Sequence, residues 1–193
     1  LGVMPLVGAG ILGAAACGIM GILIPYARVL AAKKPQEYSA WSFLIGLGWI
    51  ALGILFLGIT ALFVSTPSQV RVLTMMWLPI IGAGGFAQLF VGALSYLMPV
   101  VIGGGPSVVR IGIAILDWQF ALRVALRNGA LFLQVVLFCA AASTAVTTLR
   151  YALWLVVITT FVIDIVMFAR AGKNQARARR ERIKEMSESR QVQ

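Results

Sequence analysis

An all-α, polytopic membrane bundle is the fold class this sequence predicts. Three observations carry that reading. Of 193 residues, 61% are hydrophobic and only 11% charged, against about 45–50% and about 25% in soluble domains. Five apolar segments meet or approach the roughly 20 residues that a spanning helix needs. The 16 Lys and Arg residues are distributed unevenly between the connections, as expected when basic loops stay cytoplasmic.

The first segment runs from about Val3 to Ile24 and is expected to end near Pro25. The second covers Trp41–Val64 and the third Leu73–Ile102. The fourth, about Gly129–Thr147, is the shortest apolar run, and the fifth extends from Leu149 or Arg150 to Ala169. Arg28, Lys33 and Lys34 follow segment one; Arg110, Arg123 and Arg127 lie between segments three and four. Arg170, Lys173, Arg177, Arg179, Arg180, Arg182, Lys184 and Arg190 form the tail. With five crossings these share one side, leaving Arg71 and Arg150 opposite. The expected topology is N-terminus outside and C-terminus cytoplasmic, in a cell membrane. The expected division is a bundle over residues 1–172 and a basic tail over 173–193. The start at Leu1, without an initiator Met or a basic leader region, predicts that further residues precede it.

Within segment one, Gly10, Gly13, Ala14, Cys17, Gly18 and Gly21 recur at helical spacing. Small residues on one face let a neighbouring helix approach, which drives packing where lipid offers no hydrophobic contrast. A cleft for a quinone or carotenoid is the competing use of such a face. Segment three carries Pro79 followed by Gly82, Gly84 and Gly85. The lost N–H and the missing side chains predict a kink. Gly103-Gly104-Gly105-Pro106 ends that helix as a turn, since no Gly-Lys-Ser/Thr follows to make a phosphate loop.

From Val108 to Arg127, apolar and polar residues alternate along an expected amphipathic helix in the cytoplasmic interface. Gln119, Arg123 and Arg127 lie on one face, with Trp118 at headgroup depth. Its second half has the alternative of running straight into segment four. The tail is basic and lacks aromatics, so nucleic acid is not an expected partner. Arg177, Arg179, Arg180, Arg182 and Lys184 are expected to meet anionic lipid of the cytoplasmic leaflet, or an acidic partner.

Candidate chemistry is sparse. Asp164 is the one acid deep in an apolar run, six residues before Arg170; it suits a structural ion pair, a subunit contact or proton handling. Gln88 and Gln134 suit interhelical hydrogen bonds. The chain has no histidine, so haem and His-based copper or zinc sites are not expected from its own residues. Cys17 and Cys139 sit in apolar runs as small packing residues, without a disulfide framework. No catalytic constellation and no metal site are expected.

Several runs form a pattern. Lys33-Lys34-Pro35 precedes Ser39-Ala40-Trp41-Ser42, and Gly92-Ala93-Leu94-Ser95-Tyr96-Leu97-Met98-Pro99-Val100-Val101 leads into Gly103-Gly104-Gly105-Pro106. Leu116-Asp117, Ala121-Leu122-Arg123-Val124 and Asn128-Gly129 follow. This resembles the C-terminal half of the multi-helix membrane region of actinobacterial copper oxidase proteins, of multicopper oxidase or copper nitrite reductase type. The specific part is Gly92, Ser95, Tyr96, Pro99 and Gly103–Pro106. The histidine-bearing upstream helices and the cupredoxin module of that family have no counterpart here, so copper chemistry is carried over to no residue. The resemblance implies a membrane scaffold or accessory subunit of a bacterial redox or respiratory assembly, an electron-transport component acting with other membrane subunits. The alternatives are a transporter or channel component using Asp164, and a module holding a quinone or other lipid-soluble cofactor at an interface.

Overall fold

The computed structural model describes residues 3–33, 37–63, 66–138 and 143–191, and among them every regular element is helical. The order is α1 (Val3–Lys33), α2 (Tyr38–Phe63), α3 (Pro67–Ile80), a π-helical segment (Ile81–Ala87), α4 (Gln88–Ile102), α5 (Pro106–Leu116), α6 (Phe120–Phe138) and α7 (Thr144–Gln191). Five stretches are long and apolar enough to cross a membrane: Val7–Lys33, Tyr38–Thr60, Ser68–Ile102, Phe120–Phe138 and Thr144–Ser189. The chain divides into two compact units, one of Leu1–Pro35 with Ala40–Phe90, the other of Gln36–Ser39 with Val91–Gln193.

Three expected boundaries move. The first helix continues past Pro25 to Lys33. Proline removes one hydrogen bond, but ending a helix in an apolar stretch would free several backbone groups. The fourth spanning helix begins at Phe120, nine residues before the expected Gly129, and closes at Phe138. The helix expected from Val108 to Arg127 is thereby shortened to α5, its second half running into the next helix as the alternative has it, and Arg123 and Arg127 belong to α6. Asp164 answers part of their charge, as set out below. The basic tail continues the last spanning candidate as helix, with α7 running unbroken from its apolar start to Gln191.

In the first unit the closest helix approach lies between α2 and the π segment with its flanks. A Cβ on Gly46 would run into Leu89, one on Gly53 into Ile81, and one on Gly85 into Ile50. These glycines remove the bulk that would hold the backbones apart. Phe56 and Trp77 add a ring contact at 4.7 Å between centroids. Gly58 of α2 lies against Leu12, Ala9 and Gly13 of α1. Elsewhere the small-residue stripe of α1 is open: Cβ atoms on Gly10, Gly13, Gly18 or Gly21 would meet nothing within 4 Å among the described residues. Cys17 is exposed; Cys139 lies outside the described residues, as do Lys34 and Pro35.

The discontinuity expected at Pro79 takes the form of the π segment. Pro79 cannot donate to the carbonyl four residues back, and Gly82, Gly84 and Gly85 free the next turn of side-chain crowding. The wider turn closes where the Gln88 N–H donates to the Gly85 carbonyl.

In the second unit α5 and α6 pack against α7. Val108, Gly112 and Leu116 form the buried face of α5. Leu116 joins Met167 and Ala171 in a small core flanked by Ile115 and Phe168. A Cβ on Gly112 would strike Gln175 and Pro99, and one on Gly172 would strike Met98.

Candidate functional site

The buried centre of the second unit is an ionic cluster assembled from α6, α7 and the first residue of α2. Asp164 is 1% exposed, Arg127 0%, Arg123 4% and Tyr38 1%. Arg123 donates through Nη1 to Asp164 Oδ1, and Arg127 through Nη2 to Oδ2. The Tyr38 hydroxyl donates to Oδ2 at 2.9 Å and accepts from Arg127 Nη1 at 3.1 Å. Arg127 Nε donates to the Thr160 hydroxyl at 3.1 Å, which in turn donates to the Val157 carbonyl at 2.7 Å. Both carboxylate oxygens of Asp164 are therefore engaged by charged or polar donors.

Helical spacing explains the arrangement. Arg123 and Arg127 are four apart on α6, and Thr160 and Asp164 are four apart on α7, so each pair shares one helix face. Aromatic faces complete the desolvation. The Arg127 guanidinium lies 3.9 Å from the Phe161 ring centroid, and that of Arg123 lies 4.8 Å from the Tyr38 ring. Such contacts favour arginine, whose planar cation sheds water more easily than an ammonium.

Two arginines against one aspartate leave one net positive charge in the interior. Arg123 offsets part of it by donating through Nη2 to the carbonyls of Leu116 and Trp118, at 3.0 Å for the latter. These carbonyls lie at the C-terminal end of α5, where the helix dipole favours a cation. The Arg123 Nε remains buried without a hydrogen-bond partner. The α5–α6 turn that presents these carbonyls is tight. Its Gln119 has φ 47°, the one non-glycine residue in the left-handed region among those described. Asp117, at the same turn, accepts the Tyr38 N–H at 2.8 Å. Burial pushes the Asp117 carboxyl above its ordinary range, against the lowering effect of that bond; nearby Glu37 raises it and Arg123 lowers it.

A second polar assembly closes the end of α4. Gly103, Gly104 and Gly105 have φ of 68°, 100° and 90°, a backbone that side chains other than glycine's strain. One face of α7 serves the carbonyls of this turn. Gln175 donates to Pro99 O at 2.5 Å and Gly103 O at 3.2 Å, and Arg179 to Ile102 O at 2.9 Å. Arg182 donates to Gly104 O at 2.8 Å and to the Ser107 hydroxyl at 3.2 Å. Helix C-termini leave such carbonyls without intrahelical partners, and here side chains from a helix distant in sequence take them up.

This places the expected site residues as follows. Arg179 and Arg182 hold the glycine turn, Arg177 pairs with Glu181 and Lys184 with Glu188. Arg180 is exposed and has no ion pair among the described residues. Of the family-like run, Pro99 is fully buried, Ser95 bonds the Gly92 carbonyl at 2.6 Å, and Tyr96 is exposed. Gln134 is bonded to Arg150, through Nε2 to its carbonyl at 2.7 Å and through Oε1 from its Nε at 3.3 Å. Gln88 differs: it is fully buried directly after the π segment, and neither polar atom of its side chain has a partner. Ser42 Oγ is in the same condition.

Sequence reasoning singled out Asp164 but not Arg123, Arg127 and Tyr38 as its surroundings. The only local signal was the four-residue spacing of the arginines, which reads equally well as a solvated face. Gly46 and Gly53, seven apart on α2, were a readable packing signal that the stripe on α1 overshadowed. Among the described residues no three His, Cys, Asp or Glu side chains gather as a metal site.

The described residues are all-helical, with five helices that fit a multi-pass membrane protein and a buried ionic cluster of two arginines on one aspartate. Compared with family models, curated proteins and solved structures, the chain matches none.

Proposed function

We propose that this chain is an integral membrane scaffold, an accessory subunit of a bacterial redox assembly with no catalysis of its own. The observation that carries this reading is the engagement of Asp164. Its two oxygens are held by Arg123, Arg127 and Tyr38, and arginine does not release its proton in proteins. An acid so enclosed braces α6 against α7 and is poorly suited to cycling protons. The open stripe of α1 supports a docking role, because small residues are what a partner helix packs against in lipid. The redox setting rests on the likeness of the run from Gly92 to Pro106 to the copper oxidase membrane region.

The test is isolation of the chain from its native membranes in mild detergent. A larger partner bearing a haem, copper or flavin centre is expected to co-elute, and Gly18→Leu, on the open face of α1, is expected to release it. A monodisperse lone chain with no redox absorbance would sink the reading.

A transporter or channel component remains the second reading, favoured by one observation. A π turn followed by an unpartnered, buried Gln88 is a feature that recurs at functional positions of helices. Loss of solute flux in vesicles on Gln88→Leu, at unchanged expression, would favour it over a scaffold.

A further inference from the structure

Two grooves flank a single ridge on the second unit, and Trp118, Met167 and Arg170 line both. The first encloses about 350 Å³, and the second about 560 Å³. Leu122, Leu126, Val162, Ile163 and Val166 make the apolar wall of the first. Ile111, Ala114 and Ile115 make that of the second. Each has polar groups beside Arg170: Gln119 on one side and Asn174 on the other.

The polar end of this paired groove is electropositive. Arg170 is exposed and makes no ion pair among the described residues. Arg123 lines the first groove, belongs to a buried cluster with one net positive charge, and keeps a buried Nε without a partner. Of the acids nearby, Asp164 is bound to Arg123 and Arg127, and Asp117 accepts the Tyr38 N–H. Neither acid lines a groove. Arg170 also marks the change in α7 from an apolar run to a basic one. In a bilayer a cation at such a boundary sits at headgroup depth, with the apolar walls reaching toward the hydrocarbon.

We infer that this paired groove seats one anionic diacyl phospholipid, its phosphate on Arg170 and one acyl chain on each side of the Trp118–Met167 ridge. Two apolar channels meeting at one cation match two chains meeting at one phosphate. A single-chain amphiphile would leave one channel empty, and a neutral headgroup would leave the positive end unmatched. Trp118, exposed at 54%, is suited to the glycerol level between them, where amphipathic rings settle. The inference rests on the chain crossing a membrane and is independent of any partner subunit.

The test uses the full chain in mild detergent, titrated with phosphatidylglycerol or with phosphatidylcholine of the same acyl chains, and read by native mass spectrometry. Phosphatidylglycerol should be retained about fivefold better, the factor expected from one arginine at an anionic headgroup. Arg170→Gln should reduce that preference to near unity, and Arg28→Gln, at an exposed cation of α1 that lines neither groove, should leave it unchanged. Ala114→Phe, which fills the second groove, should lower retention of both lipids. Thermal melts of each variant identify any that fails to fold, and the exposed Arg170→Gln is expected to melt like the parent. Equal retention of the two lipids by the parent chain would overturn the inference. So would an equal loss of preference in Arg28→Gln, which would reduce the effect to a diffuse basic surface.

Discussion

At Asp164 the balance of charge decides more than the number of bonds. Removing one partner of a buried pair typically costs about 3–5 kcal/mol, because the other charge is left uncompensated. Here the starting balance is two cations to one anion. Asp164→Asn leaves two buried arginines facing each other, whereas Arg127→Met leaves one arginine and one aspartate. The aspartate substitution is therefore expected to be the more damaging, by about 3–5 kcal/mol against a smaller loss for Arg127→Met. Thermal denaturation in detergent checks the order, and the reverse order would contradict the charge argument. The acid itself was legible in the sequence, since a carboxylate in an apolar run must be answered somewhere. Its answer was not, because Arg123 and Tyr38 lie 41 and 126 residues away along the chain, and periodicity carries no information over such distances.

Helix α7 shows how one element can serve two environments. Its apolar stretch reads as a spanning helix from length alone, and the structure agrees. Its basic stretch reads as a surface for outside partners, yet Gln175, Arg179 and Arg182 cap the glycine turn after α4. Composition alone does not separate the two uses, because carbonyls at a helix end attract the same cations that a lipid surface does. Gln175 is the buried member of the set, and Gln175→Leu strips both the Pro99 and Gly103 carbonyls of a donor. The expected cost is about 1–3 kcal/mol. Faster amide hydrogen exchange over residues 103–109 should accompany it; protection as strong as in the parent would contradict this account of the turn. The shifted start of α6 has a related origin. Arg123 and Arg127 mark a membrane edge only when solvent or lipid headgroups answer them, and here Asp164 does.

Over the whole molecule, the apolar spans were the readable part, because in lipid every backbone group must be satisfied internally and long apolar helices follow. Details that depend on contact between distant segments were not readable. Gly46, Gly53 and Gly85 show their purpose only once α2 and the π segment are brought together. The pairing of α6 with α7 also has a bearing on synthesis. Translation delivers Arg123 and Arg127 before Asp164 exists, and each arginine opposes entry of its helix into a bilayer by about 2.5–3.5 kcal/mol at the centre. Helix α6, the least apolar of the five candidate spans, is therefore predicted to enter together with α7 as a hairpin. With an Asn-X-Ser acceptor introduced by Ala141→Asn ahead of Ser143, a chain stopped after Thr147 should stay unmodified in microsomes, while one continued through Arg170 should be modified. If the shorter chain is modified as efficiently, the two arginines are tolerated alone. Otherwise Asp164 acts during birth of the protein as the signal that lets the preceding helix cross.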